Sequence, residues 1–175
     1  MSSSKPKVSL PAHDIWSLIA VAYPFGLATR APGTWGSLPG LGVGAIFYSI
    51  AEVTEQRLDV SHGLTAGILI LFLTGLAWYA IHRTEERWQT HDDGRIVIDE
   101  VLGQAIAISF LGPSTLILIA SFLLFRLLDI WKPGPIGWAD EKLPGAWGTL
   151  FDDVLAGFAV VPLVFLLSRL LQMKL

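Results

Sequence analysis

Five stretches of this chain carry no charged or histidine side chain. They run for 15, 21, 19, 25 and 15 residues, between Asp14 and Arg30, Arg30 and Glu52, His62 and His82, Glu100 and Arg126, and Asp153 and Arg169. Together they hold 95 of the 175 residues. About 25% of an average soluble chain is charged, against 15% here, and a soluble core of this size cannot hide so much uninterrupted apolar chain. A membrane-crossing helix needs about 20 predominantly apolar residues. The chain therefore reads as an all-α integral membrane helical bundle.

The uncharged stretches differ in quality as spans. Residues 63–81 form the cleanest one. Residues 38–51 are shorter and contain Gly40, Gly42 and Gly44, small residues that let helices approach closely in lipid. Residues 101–125 are too long for one simple span and are interrupted by Gly112-Pro113-Ser114, which predicts two helices over 98–111 and 114–131. Residues 154–171 form the last helix, with Pro162 as a kink. Residues 15–28 are too short to cross and predict a half-inserted or interfacial helix ending near Pro24 or Gly26. The rival reading of this segment, the apolar region of a signal peptide, suffers from Tyr23-Pro24-Phe25-Gly26, a poor small-residue cleavage site. The expectation is about five crossing helices plus a short N-terminal one, with 1–13 as a flexible polar lead-in and 14–175 as a single membrane-embedded domain.

Charge placement orients the bundle. If the segments around 30, 82–100 and 126–150 share a side with the N-terminus, that side holds nine Lys and Arg and the other three, which makes the first side cytoplasmic. The same side collects 11 of the 15 acidic residues. A net charge of −3 excludes a globally basic nucleic-acid binder, which needs surplus cations to neutralise phosphates. With no Cys, disulfides, Cys-ligated metal centres and cysteine nucleophiles are excluded as well. Seven Trp suit a protein with bilayer–water interfaces to anchor.

The informative charges are those that meet apolar helices. Asp99-Glu100 opens the 98–111 helix, Asp129 closes the 114–131 helix, and Asp152-Asp153 opens the last one. Ionised carboxylates at membrane depth are costly and mark functional sites by default. Five of them from three helices repel one another unless cations intervene, and an all-oxygen cluster suits Mg²⁺ or Mn²⁺. The plainer reading is helix capping, since Asp is a good N-cap and acids near an N-terminus gain about 0.3–1 kcal/mol from the macrodipole. Capping fails for Asp129, which sits at a C-terminal end.

Arg126 lies three residues before Asp129, on the same helix face, and Lys132 follows just before Pro133. A structural ion pair would account for Arg126 and Asp129 alone. Two cations and an acid within seven residues at a bilayer interface also suit a phosphate held beside a metal ion, with Arg as a bidentate fork and Lys as a point charge. An internal echo adds to this. Pro32-Gly33-Thr34-Trp35-Gly36-Ser37-Leu38 and Pro144-Gly145-Ala146-Trp147-Gly148-Thr149-Leu150 match at five of seven positions. Glycine-rich backbone entering a helix presents N–H groups to an anion. The first copy, with Gly33, Thr34, Gly36, Ser37 and nearby Arg30, is the better phosphate cradle, while the second reads equally well as a duplicated turn with an interfacial Trp. His91 reads as a general acid or, more simply, as a solvated loop residue, Asp92 beside it is a candidate site residue, and His13, His62 and His82 show no recognisable partners.

Several phosphatase patterns are missing: Cys-x5-Arg, Asp-x-Asp, Pro-Ser-Gly-His and the Gly-x4-Gly-Lys-Ser/Thr loop. What the chain does contain resembles the bacterial phosphatidylglycerophosphatase A family. The matching residues are Pro32-Gly33-Thr34-Trp35-Gly36-Ser37, His91-Asp92 with Asp99-Glu100-x-x-Gly103, Phe125-Arg126-x-x-Asp129-x-x-Lys132-Pro133-x-Pro135, and Asp152-Asp153-x-x-Ala156-Gly157. They follow the family's order over roughly residues 12–172.

The resemblance implies a Mg²⁺-dependent enzyme of the bacterial inner membrane, its site facing the cytoplasm. Its reaction would convert phosphatidylglycerol phosphate to phosphatidylglycerol and inorganic phosphate. On that reading Asp99, Glu100, Asp129, Asp152 and Asp153 hold one or two Mg²⁺ ions, and Arg126 and Lys132 hold the phosphate with help from Gly33, Thr34, Gly36 and Ser37. The rival from another class is an ion or metal transporter using the same acids, but transporters place charges near the midplane rather than at helix ends. A lipid phosphotransferase would need a repeated Asp-x-x-Asp-Gly pattern that is absent here.

Overall fold

The structure is a computed structural model that describes residues 14–28 and 30–172. The expected lead-in over 1–13, with His13, lies outside the described residues, as does Lys174. Seven α-helices follow in order: α1 (Ile15–Ala20), α2 (Pro32–Leu58), α3 (His62–Trp88), α4 (Ile98–Leu111), α5 (Thr115–Trp131), α6 (Pro135–Lys142) and α7 (Ala146–Gln172), with a short 3₁₀ turn at Phe25–Leu27. No strand occurs among the described residues.

Local chemistry sets the breaks. Asp59 closes α2 in the left-handed conformation, and Ser61 caps α3 by accepting from the Leu64 N–H. At the expected interruption, Gly112 takes φ +83° and Ser114 accepts from the Ile117 N–H. This ends α4 at Leu111 and starts α5 at Thr115. Pro32 occupies the first turn of α2, where its missing N–H costs nothing. The Pro32–Leu38 motif is thus two turns of helix rather than a loop leading into one. α6, between Lys132 and the second copy of the motif, is a further short helix.

α2, α3 and α7 have 27 residues each and are long and apolar enough to cross a membrane. α4 and α5 have 14 and 17, or about 21 and 26 Å at 1.5 Å per residue. A hydrocarbon core is about 30 Å thick. Of the five helices expected to cross, three are long and apolar enough to do so by length and composition, and the other two are the shorter arms of a hairpin. Ile46, Leu71, Phe72, Leu123, Phe165 and Leu166 are exposed and supply the apolar surface that lipid would cover.

α4 is the axis of the bundle. From Ile98 to Ser109 every residue but Glu100 is buried, the polar Asp99, Gln104 and Ser109 included. Glycines let two neighbours press against it. Along α2, a methyl group added at Gly36, Gly40 or Gly44 would lie 2.5 Å from Val97, 2.6 Å from the Val101 carbonyl and 2.7 Å from Ile108 respectively. On the other flank, a methyl at Gly157 of α7 would lie 2.3 Å from the Gly103 carbonyl oxygen. The register rises together along all three helices, so α2, α4 and α7 run parallel with their N-termini at one end.

At that end Trp78 of α3 stacks on His82, and Trp147 of α7 lies 5.3 Å from Trp78. At the other end His62 bonds the Ser109 carbonyl at 2.9 Å, with its ring against Tyr48. Of the three histidines without partners in the sequence reading, His62 and His82 thus have them. In the bundle interior Gln104 of α4 donates to Ser121 of α5 at 3.2 Å.

Gly157→Ala should destabilise the protein in detergent by about 1–3 kcal/mol through overpacking. Gly75→Ala, where an added methyl meets nothing within 4 Å, should be neutral or stabilising. Thermal unfolding of the two variants checks this, and equal melting temperatures would refute the close crossing.

Candidate active site

Three helices deliver five carboxylates to the same end of the bundle. Asp99 and Glu100 occupy the first turn of α4, Asp129 the last turn of α5, and Asp152 and Asp153 the second turn of α7. The Gly103–Gly157 contact lies one turn beyond Glu100 and Asp153 and draws those side chains together. Single carboxylate oxygens of Asp99, Glu100 and Asp153 lie within 4.8 Å of one another, as do those of Asp129, Asp152 and Asp153. Asp153 belongs to both sets and joins them.

Helix capping does not explain this arrangement. α4 starts after Val97 with no side-chain cap, and the Asp99 carboxylate accepts from the Glu100 N–H at 3.1 Å. α7 begins at Ala146, so Asp152 and Asp153 lie deeper than the expected helix opening, beyond the reach of the dipole's first turn.

Two cations border the cluster. Arg126 approaches Asp129 at 2.5 Å and Glu100 at 3.8 Å, and donates to the Ser37 hydroxyl at 3.5 Å. Lys132 bridges Asp140 at 2.6 Å and Asp152 at 2.8 Å. It does so from the left-handed conformation, φ +49°, which disfavours a non-glycine residue. Burial works against the Lys132 ammonium, but its hydrogen bonds to Asp140 and Asp152 outweigh that and raise its pKa above the ordinary lysine value. With the folded-state pKa raised, its stabilising contribution is complete below the unfolded value of about 10.5 and is lost only as pH climbs through the folded one. Lys132 itself therefore stays protonated across neutral pH.

The cations do not complete the cluster. Glu100 Oε2, Asp152 Oδ1 and Asp153 Oδ1 are buried with no hydrogen-bond partner. Two unit charges 4 Å apart interact by about 4 kcal/mol at an effective dielectric of 20, so close carboxylates with unused lone pairs favour a bound cation. An all-oxygen donor set fits a hard divalent ion, and the acidic groups here could hold one.

The other sequence candidates fall into two places. Gly33 lies against Glu100 and Arg126, since an added methyl would sit 2.2 Å from Glu100 Oε1 and 3.0 Å from Arg126 Nη1. Ser37 is buried one turn on, bonded to the Gly33 carbonyl at 2.8 Å. Thr34 is half-buried and Arg30 exposed, while Gly36 packs on Val97 of α4. His91 and Asp92 are held elsewhere. The His91 ring and the Asp92 N–H each lie 3.0 Å from Glu85 Oε1.

Glu85 is the residue that sequence reasoning missed. It is buried in the last turns of α3, and the same oxygen accepts from the Thr149 hydroxyl at 3.0 Å. It thereby ties α3 and the α3–α4 connection to α7 one turn before Asp152. Read as one of a surface run of charges, it looks solvated. It in fact continues the buried stripe of Ala77, Ile81, Thr84 and Trp88, and that periodicity was the available signal.

A family model described as phosphatidylglycerophosphatase A matches residues 18–168. The chain is 38% identical over 170 residues to the phosphatidylglycerophosphatase A of Haemophilus influenzae, covering 94% of this chain and 96% of that protein. It is 32% identical over 172 residues to the phosphatidylglycerophosphatase A of Escherichia coli, covering 97% of this chain and 90% of that protein. No solved structure matches.

Removing the shared acceptor strands the buried Thr149 hydroxyl. Glu85→Ala should cost about 1–3 kcal/mol of stability, and Glu85→Gln, which keeps an acceptor oxygen, should cost less. Denaturant unfolding in detergent measures both, and an unchanged midpoint for Glu85→Ala would show that the tie bears no load.

Proposed function

This chain belongs to the phosphatidylglycerophosphatase A family, and from that premise we propose that it hydrolyses the phosphate monoester of phosphatidylglycerol phosphate. The products are phosphatidylglycerol and inorganic phosphate. The enzyme works with Mg²⁺ in the bacterial inner membrane, and its site faces the cytoplasm. The observation that carries this reading is the set of partnerless buried carboxylate oxygens beside Arg126 and Lys132 at one end of the bundle.

Asp99, Glu100, Asp129, Asp152 and Asp153 would hold the metal. Bound there, Mg²⁺ would offset the charge of the phosphate oxygens and lower the pKa of an attacking water. The protein's own groups do the rest. Arg126, already oriented by Asp129 and Glu100, presents a fork of donors that matches phosphate geometry. Lys132 adds a point charge and is kept protonated by Asp140 and Asp152. Ser37, Thr34 and the Gly33 N–H lie on the first turns of α2, where free N–H groups favour an anion.

In the reaction the water oxygen bonds to phosphorus and the bond from phosphorus to the glycerol oxygen breaks. One cluster carboxylate takes a proton from the water and passes it to the departing glycerol oxygen, which ends as a hydroxyl. The positive-side bias of the sequence and the origin of a phosphate monoester lipid in the cytoplasmic leaflet both support the proposed orientation. Placement of the acids at helix ends supports hydrolysis over the transport reading.

The purified protein in mixed micelles should release inorganic phosphate from phosphatidylglycerol phosphate, and EDTA should abolish release until Mg²⁺ is restored. Arg126→Ala should lower kcat by about 10²–10³-fold, as loss of one transition-state donor does elsewhere. Asp129→Asn retaining near-normal Mg²⁺-dependent release would sink the ligand assignment, and no release by the wild type in saturating Mg²⁺ would sink the reaction.

A further inference from the structure

An apolar groove of about 420 Å³ opens between α5, the turn after Lys132, α6 and α7, within the range of small-ligand sites, about 300–1,000 Å³. Its walls alternate in sequence with the charged residues of the site. Leu128 precedes Asp129, Pro133 follows Lys132, and Leu155 lies three residues after Asp152. From Leu155 the wall continues through Ala159 and Leu163, about 12 Å along α7 and away from the carboxylate end. The groove therefore begins beside the site and runs toward the middle of the bundle, the course an acyl chain takes from an interfacial headgroup.

The groove is also built rather than left over. Pro133 and Pro135 fix the backbone of the turn. Gly137 lets α6 close on that turn, since an added methyl would lie 2.5 Å from the Lys132 carbonyl oxygen. Beneath it, Phe125, Ile136, Ala156 and Val160 form a packed core separate from the larger one around α4. A ligand with an anionic end and an apolar tail matches this combination: Arg126 and Lys132 at the polar end, aliphatic walls along the rest. A free lipid tail without an anionic head matches only half of it.

We propose that the groove seats one acyl chain of the lipid whose phosphate occupies the neighbouring site, so that the substrate is held by tail as well as by head. This rests on the proposed lipid phosphate hydrolysis. It makes Leu128, Leu155, Ala159 and Leu163 determinants of affinity for long-chain substrate, and it predicts weak capture of soluble phosphate monoesters.

Two readouts test the idea. Ala159→Trp should fill the groove and raise KM for long-chain phosphatidylglycerol phosphate by about tenfold, a usual scale for apolar pocket changes, with kcat little changed. Leu71→Trp, on an exposed face of α3, is the control and should leave KM alone. Equal effects of the two variants, or a fall in kcat alone, would overturn the proposal. The second readout needs no turnover. A non-hydrolysable phosphonate analogue with a diazirine in its acyl chain should label peptides within 128–136 and 155–163. Excess unlabelled phosphonate lipid should suppress that labelling, and phosphatidylcholine should not. Labelling suppressed equally by phosphatidylcholine would mean that the groove holds bulk lipid, and the proposal fails. Head-selective labelling by a protein that releases no phosphate would keep the groove and remove the hydrolytic reading.

Discussion

The structure depends on how closely helices can approach α4. In lipid the apolar effect does not press helices together, so association relies on packing and on small residues that let backbones meet. Gly36, Gly40 and Gly44 seat α2 on one flank, and Gly103 and Gly157 let α7 cross on another. Neither seam is built from charged side chains. Yet the second fixes how far apart the first turn of α4 and the second turn of α7 can be, and so sets the spacing of four of the five carboxylates. Side chains of one charge sign are brought within 4.8 Å of each other by contacts that contain no charge at all.

That arrangement has an electrostatic cost, which only part of the protein offsets. Arg126 and Lys132 pair with four acids between them, counting Asp140, and leave buried oxygens of Glu100, Asp152 and Asp153 without partners. A fully paired network would be more stable but chemically inert, since every lone pair would be spent. The incomplete pairing is what makes the cluster receptive to a cation. Glu85 plays the opposite part nearby. One of its oxygens satisfies three donors, which makes it a structural clamp beside a receptive site.

Much of this was legible in the residues because it follows from local rules. Gly112-Pro113-Ser114 announces a break through backbone chemistry alone, and α4 and α5 end and start there. The gathering of acids at one end follows from the parity of the spans. Other features escaped for physical reasons. Hydropathy marks what faces an apolar medium rather than where the hydrogen-bond ladder ends, so α2 and α7 extend well beyond their apolar stretches. Protein interior and lipid are alike in polarity, so the complete burial of α4 by protein left no trace in its composition. The eight residues of α6 are too few and too mixed to display a helical period, and the tie from Asp140 to Lys132 went unseen with them. The burial of Glu85 was present in the stripe on α3 but masked by the charges on either side.

The aromatic contact between α3 and α7 has a consequence for depth. Indoles favour the level of the lipid headgroups, and Trp147 lies 5.3 Å from Trp78, a pair that suits that level. Asp152 follows Trp147 by five residues, about 7.5 Å along the helix, so with the indoles at headgroup level its carboxylate would lie deeper than the rings. On the proposed reaction, the phosphate of the phospholipid would then sink toward the carboxylates while the lipid stays in its leaflet. The two products would separate by direction: the lipid sideways by diffusion in the plane, and the phosphate upward into water.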